Sequence, residues 1–167
     1  MFDRLTELRE KRARGENGFT LIELLVVVVI IGILIAIAIP LYLNYRKGAN
    51  DKSAQSDLRG SISALEQCQS DNNGYPVVAT ATTYTTTSQL GSCSQKVSVT
   101  SGTTVTYISK ETSGTLATAY MVLSINSGGN VDGTASGGYY CYSSAAGGSV
   151  QKKTGALPTT FPVSGTC

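Results

Sequence analysis

The chain has 167 residues, with 13 lysines and arginines against 11 aspartates and glutamates and no histidine or tryptophan. That length suffices for one ordinary domain with a modest core, while a formal charge of +2 gives no electrostatic footing for nucleic-acid binding. Without histidine there are no imidazole metal ligands and no histidine general base, and nothing in the composition implies a cofactor.

Residues 1–18 are mostly polar. Arg9, Lys11, Arg12 and Arg14 cluster there, which favours retention of this end in the cytoplasm. From Leu24 to Ile39 every residue is apolar, with Gly32 alone lacking a side chain. Phe19–Ile22 and Leu41–Leu43 extend the run, interrupted by Thr20, Glu23 and Pro40. At about 1.5 Å per residue, a helix of that length crosses a hydrocarbon layer of roughly 30 Å. A lone strand rich in valine and isoleucine would leave its backbone polar groups unsatisfied in lipid, so helix is the expectation.

A secretory signal places small residues after its apolar stretch. Here Gly18 precedes the stretch instead, and hydropathy alone leaves an uncleaved signal anchor open. Glu23 carries a desolvation cost near the end of a lipid-soluble helix. Either it reaches back to the headgroups or it meets a positive group when helices pack side by side. Pro40 cannot donate a backbone hydrogen bond and predicts a kink or local weakening. The apolar residues on both sides of it favour continuation of the helix.

Gly18–Phe19–Thr20–Leu21–Ile22–Glu23, the long apolar helix behind it and Pro40 near its far end resemble the type IV pilin family, which includes the pseudopilins of secretion systems. The detailed resemblance covers roughly the first third of the chain. It implies cleavage between Gly18 and Phe19 by a membrane prepilin peptidase that also methylates the new amino terminus on Phe19. It implies that Glu23 pairs with the amino terminus of a neighbouring subunit, and that the Pro40 region loosens on polymerisation. Glycine suits a processing site because it obstructs a protease little.

Beyond Tyr45 the chain turns polar. Ala54, Leu58, Ile62 and Leu65 recur at helical spacing and predict a stripe that covers a small sheet, with the intervening polar residues facing water or other subunits. Gly60 weakens that helix modestly. Asp71–Asn72–Asn73–Gly74–Tyr75–Pro76 predicts its end, with Gly74 left-handed and Pro76 blocking continuation. Val77–Ser88 reads as an extended connection or edge strand, and no Asn-x-Ser/Thr sequon follows. Strands are expected over Gln95–Thr100, Thr103–Ser109, Leu116–Ile125 and Gly138–Ser143. Ala117, Ala119, Met121, Leu123 and Ile125 would form a buried face, and Tyr107, Tyr120, Tyr139 and Tyr140 would line the sheet or project between subunits. The Asn126–Asp132 loop has too few acids for a calcium site and reads as a turn.

Cys68, Cys93, Cys141 and Cys167 form no close pair of the CxxC kind, which disfavours zinc. An even number behind an export-like segment predicts disulfides, with four free thiols as the plain alternative. Of three pairings, Cys68–Cys93 and Cys141–Cys167 close the two long nonrepetitive sections without crossing.

The expected fold class is therefore α+β: a long helix whose distal half packs on a small antiparallel sheet. The expected segments are a leader over 1–18, a membrane and filament-core helix over 19–43, a distal amphipathic helix over 44–73 and an exposed domain over 74–167. The resemblance implies a structural filament subunit that associates with itself and meets the processing peptidase and a membrane assembly platform. Attachment, surface motility or support of DNA uptake would belong to the assembled filament. A minor pilin, a pseudopilin and a pilin-anchored surface binding module are the competing readings. No receptor, metal, nucleic-acid site or enzymatic site emerges from the residues.

Overall fold

The computed structural model describes residues 19–91, 93–111 and 113–167. The leader, including Gly18, lies outside the described residues. Two compact units meet between Tyr42 and Leu43. In the first, helix α1 (Leu21–Asn72, 52 residues, continuing into the second unit) carries the apolar run and stays helical through Pro40. It is long and apolar enough to cross a membrane, and none of its most apolar window is buried.

In the second unit α1 buries Asp51, Ala54, Asp57, Leu58, Ser61, Leu65 and Cys68. Steps of three and four keep these residues on one face. The face is centred slightly away from the expected stripe: Ile62 is only partly buried, and Ser61 takes the inner position. There its hydroxyl donates to the Asp57 carbonyl at 2.7 Å, which satisfies a polar group that burial would otherwise penalise. Past the helix the left-handed residue is Asn73 (φ 59), not Gly74. Asparagine is the commonest substitute for glycine there. Gly74 is fixed by crowding instead, because a Cβ on it would lie 2.8 Å from the Leu116 side chain.

Among the described residues nine strands follow: β1 (Tyr75–Pro76), β2 (Thr82–Tyr84), β3 (Ser88–Gln89), β4 (Lys96–Val97), β5 (Thr103–Ser109), β6 (Leu116–Ala117), β7 (Tyr120–Asn126), β8 (Tyr139–Ser143) and β9 (Gln151–Lys153). The main sheet has the order β2-β5-β7-β8-β9, and β1-β6 and β3-β4 form two short ribbons. All pairings are antiparallel. A four-strand expectation thus becomes a five-stranded sheet. The expected strand over Gln95–Thr100 shortens to β4 and pairs with β3. Leu116–Ile125 is interrupted at Thr118–Ala119, so that β6 leaves the main sheet to pair with β1.

The main sheet is covered on both faces. Val105, Tyr107, Tyr120, Val122 and Tyr140 pack with Ala54, Leu58, Leu65 and Cys68 of α1. Met121, Leu123, Ile108 and Cys141 face the other way, against Leu157, Phe161 and Cys167 of the carboxyl-terminal tail. The expected face through Met121 and Leu123 is therefore one of two, and it is the one beneath the tail. Tyr107 and Tyr120 are fully buried, so neither projects outward.

Candidate assembly site and the braced helix

Phe19, Thr20 and Glu23 stand together at the start of α1. Thr20 donates to Glu23 Oε2 from its backbone N–H at 2.8 Å and from its hydroxyl at 2.7 Å. The Glu23 N–H in turn donates to Thr20 Oγ1 at 3.3 Å. This reciprocal pairing, hydroxyl at the cap and glutamate three residues on, satisfies backbone donors that the first helical turn leaves orphaned. Sequence reasoning passed over Thr20, although the Thr-x-x-Glu spacing before an apolar run is a readable signal.

Both Thr20 bonds end on Oε2. Phe19 is 83% exposed, and the apolar side chains behind it, such as Leu24, Ile31 and Ile37, stay about half exposed. A contiguous apolar surface of this kind requires lipid or protein against it. Pro40 lies in the same helix, well beyond the first turn.

The second unit grips α1 with carboxylates as well as with apolar contacts. Asp51 accepts from the backbone N–H groups of Asn130 (2.7 Å) and Val131 (3.1 Å) and from the Asn130 amide (2.8 Å). The loop thus aims donors inward at an anion, the opposite of the oxygen cage that calcium requires. Among the described residues no acidic or cysteine cluster could hold a metal. Asp57 accepts the N–H and hydroxyl of Thr100 at 2.7 and 2.9 Å. Glu66 accepts the hydroxyls of Tyr75 (3.1 Å) and Tyr120 (2.8 Å). Asp71 accepts from Gln67 and Gln95 at 2.9 and 2.7 Å. The expectation that polar helix residues face only water or other subunits is corrected here, since Asp51 and Asp57 are buried partners of the loops.

Tyr75, Tyr107 and Tyr142 surround Tyr120, with ring centroids 4.6, 6.0 and 5.9 Å from its own. Burial, and then the hydrogen bond to Glu66, pushes the Tyr75 phenol up to about 12 and raises Tyr120 as well. Disulfides join Cys68 to Cys93 and Cys141 to Cys167, with Cα–Cα distances of 5.5 and 5.9 Å. The first ties α1 to the segment before β4, and the second ties β8 to the tail over the sheet's outer face. A shallow cavity of about 170 Å³ lies beside Ala79, Lys110 and Phe161.

These features define a helix-anchored α+β subunit: an uncovered apolar helix carrying a small, doubly bridged antiparallel domain. Residues 13–39 match the prokaryotic N-terminal methylation motif. The type IV wide pilus major component PilA4 of Thermus thermophilus is 48% identical over 62 residues, 37% of this chain and 47% of that protein. The type II secretion system core protein G of Aeromonas hydrophila is 40% identical over 63 residues, 38% of this chain and 44% of the relative. Its counterpart from Vibrio cholerae is 39% identical over 66 residues, covering 40% and 45%. The chain spans about half the length of these relatives. No solved structure matches it. Over its first third, then, the chain is similar to type IV pilins and to the pseudopilins of type II secretion systems.

Proposed function

We propose that this chain is the major structural subunit of a type IV pilus filament, held in the cytoplasmic membrane as a precursor and finally extracellular. Prepilin peptidase cleaves between Gly18 and Phe19 and methylates Phe19, and the 19–43 segment passes from lipid into the filament core. The observation that carries this reading is the exposed apolar face of α1 with Phe19 and Glu23 at its tip. Such a face leaves lipid without meeting water only if neighbouring helices replace the lipid.

The Thr20 N–H belongs to the peptide after Phe19, so the pairing with Glu23 survives cleavage. Glu23 Oε1 then receives the neighbour's Phe19 amine. Two ions that would each be costly in a greasy bundle offset one another when the geometry is close, and the pair fixes the axial register of helices that otherwise slide. Pro40 supplies the point at which α1 loosens during assembly.

The secretion-system relatives favour a second reading, a pseudopilin of a type II secretion system. Electron microscopy of wild-type cells and of cells lacking the gene separates the two. Loss of the dominant surface fibre supports the major pilin; intact fibres with failed protein secretion support the pseudopilin. Glu23→Gln is expected to leave a membrane-inserted subunit and few filaments, and normal filament numbers would remove the electrostatic role.

A further inference from the structure

Charge is spread unevenly along the second unit, and the contacts between α1 and the sheet fix the levels. Asp51 meets Asn130 and Val131 of the β7–β8 loop. Ala54 accepts the Ser124 hydroxyl of β7 at 2.8 Å, and Glu66 meets Tyr120 at the opposite end of that strand. Asp71, farther along α1, meets Gln95. The unit thus has a near end, where its chain begins at Leu43, and a far end beside Glu66 and Asp71.

Five cations gather at the near end. Arg46, Lys47 and Lys52 come from α1 itself. Strand β9 brings Lys152 and Lys153: Tyr140 pairs with both Ser124 and Lys152, and Tyr139 pairs with Lys153, which places the two lysines level with Ala54. Four of the five are exposed and Lys153 is half-buried. Two carboxylates share this end. Asp51 has both oxygens taken by Asn130 and Val131; the Thr134 hydrogen bonds, and last Lys47, hold Asp132 below the usual carboxylate range. Elsewhere in the unit Arg59, Lys96 and Lys110 stand against Asp57, Glu66, Asp71 and Glu111. The near end therefore carries a net charge of +3 and the remainder −1.

Lys47 stands four positions before Asp51 and seven before Ala54, on the azimuth of the buried stripe, yet it is exposed. The sheet and its loops stop short of it. Arg46 and Lys47 follow the end of the apolar run by about 5 and 6 Å along the helix axis, and no carboxylate lies between Leu43 and Asn50. Tyr42 and Tyr45, 65% and 72% exposed, flank that boundary as aromatic residues do where a helix leaves hydrocarbon. A headgroup layer is roughly 5–7 Å deep, so Arg46 and Lys47 reach it directly. Lys52, Lys152 and Lys153 stand higher, within about one screening length of its surface once their side chains extend. Cations beside a span ordinarily concentrate on its cytoplasmic side, so topology does not account for a cationic band on the exported side.

We infer that the near end of this unit, through Arg46, Lys47, Lys52, Lys152 and Lys153, binds anionic phospholipid headgroups on the exported side of the membrane while the preceding apolar segment is still in lipid. Cations next to a span are drawn to anionic headgroups in this way. The contact holds the stored subunit at a fixed depth and has to break when the subunit leaves the bilayer, so anionic lipid opposes extraction. The inference rests on the membrane-held precursor proposed above and is the same for a major pilin and a pseudopilin.

The test reconstitutes the full chain in bilayers of phosphatidylcholine with about one-third phosphatidylglycerol and measures, by native mass spectrometry from mild detergent, which lipid stays bound. The wild type should retain about threefold more phosphatidylglycerol than a chain carrying Arg46→Gln, Lys47→Gln, Lys52→Gln, Lys152→Gln and Lys153→Gln, and the difference should shrink in about 1 M salt. A chain with the other three cations neutralised, Arg59→Gln, Lys96→Gln and Lys110→Gln, should retain as much as the wild type. Equal retention by the wild type and the near-end variant would overturn the inference, and so would an equal loss from the far-end variant, which would mean that net charge alone acts. Unchanged lipid retention with fewer filaments would assign the cations to a protein partner and overturn it likewise. If the fivefold variant loses its fold, Arg46→Gln with Lys47→Gln, both outside the packed core, takes its place with the same outcomes. A chain that does not enter the bilayer refutes the membrane-held reading itself, whereas insertion without selective retention refutes this inference alone.

Discussion

Glu66 shows how one residue joins three elements. Its carboxylate accepts Tyr75 and Tyr120 hydroxyls 9 and 54 positions away, and both bonds require the phenols to keep their protons. The Tyr75 phenol is raised from 10 to about 12 in the folded domain, burial being the largest cause. A group whose folded value lies above its unfolded one stabilises fully below the unfolded value and loses that contribution as pH climbs through the folded one. The domain is therefore expected to lose stability between pH 10 and about 12. Phenolate absorbance and circular dichroism followed together in alkali check this: unfolding should accompany the rise in phenolate. Tyr75→Phe should soften the dependence, and an unchanged alkaline profile would remove Tyr75 as a cause.

At the scale of elements, legibility followed the range of the interaction. The apolar helix and the stripe through Ala54, Leu58 and Leu65 were readable because periodicity is local. The partners of Asp51 and Asp57 lie 79 and 43 positions away, and no spacing in a single sequence pairs them. Strand β7 reads Tyr-Met-Val-Leu-Ser-Ile, apolar on both faces, so alternation picked out one face where the fold uses two. Strand β9, Gln-Lys-Lys, is a polar edge strand, a composition that protects an edge and hides it from hydrophobic pattern reading. The helix-start pairing of Thr20 with Glu23 was legible in principle, since its spacing is a known cap. Element by element, the bridge from β8 to the tail invites a specific measurement. Its partners are 26 positions apart, so Cys141→Ser with Cys167→Ser should cost about 3–4 kcal/mol in a chain-entropy treatment. Denaturant unfolding should show the loss, together with exposure of Met121 and Leu123; a change well below 1 kcal/mol would mean the tail is held by its apolar packing alone.

For the whole molecule, the two units have different needs, and the proposed filament role accounts for both. The first offers an apolar helix with no intramolecular cover. The second is a domain whose buried core, four helix carboxylates and two disulfides need no neighbour to be satisfied. Among the described residues no buried side-chain polar atom lacks a hydrogen-bond partner, as expected of a domain that folds before assembly. In the proposed function, burial of the helix is left to lipid first and to other copies afterwards, with removal of the charged leader permitting the exchange. Mass spectrometry of the amino-terminal peptide from sheared, extracellular filaments tests this sequence of events. The expected peptide begins at Phe19 and carries one added methyl group on its amine. Filaments built from chains that still begin at Met1 would contradict it.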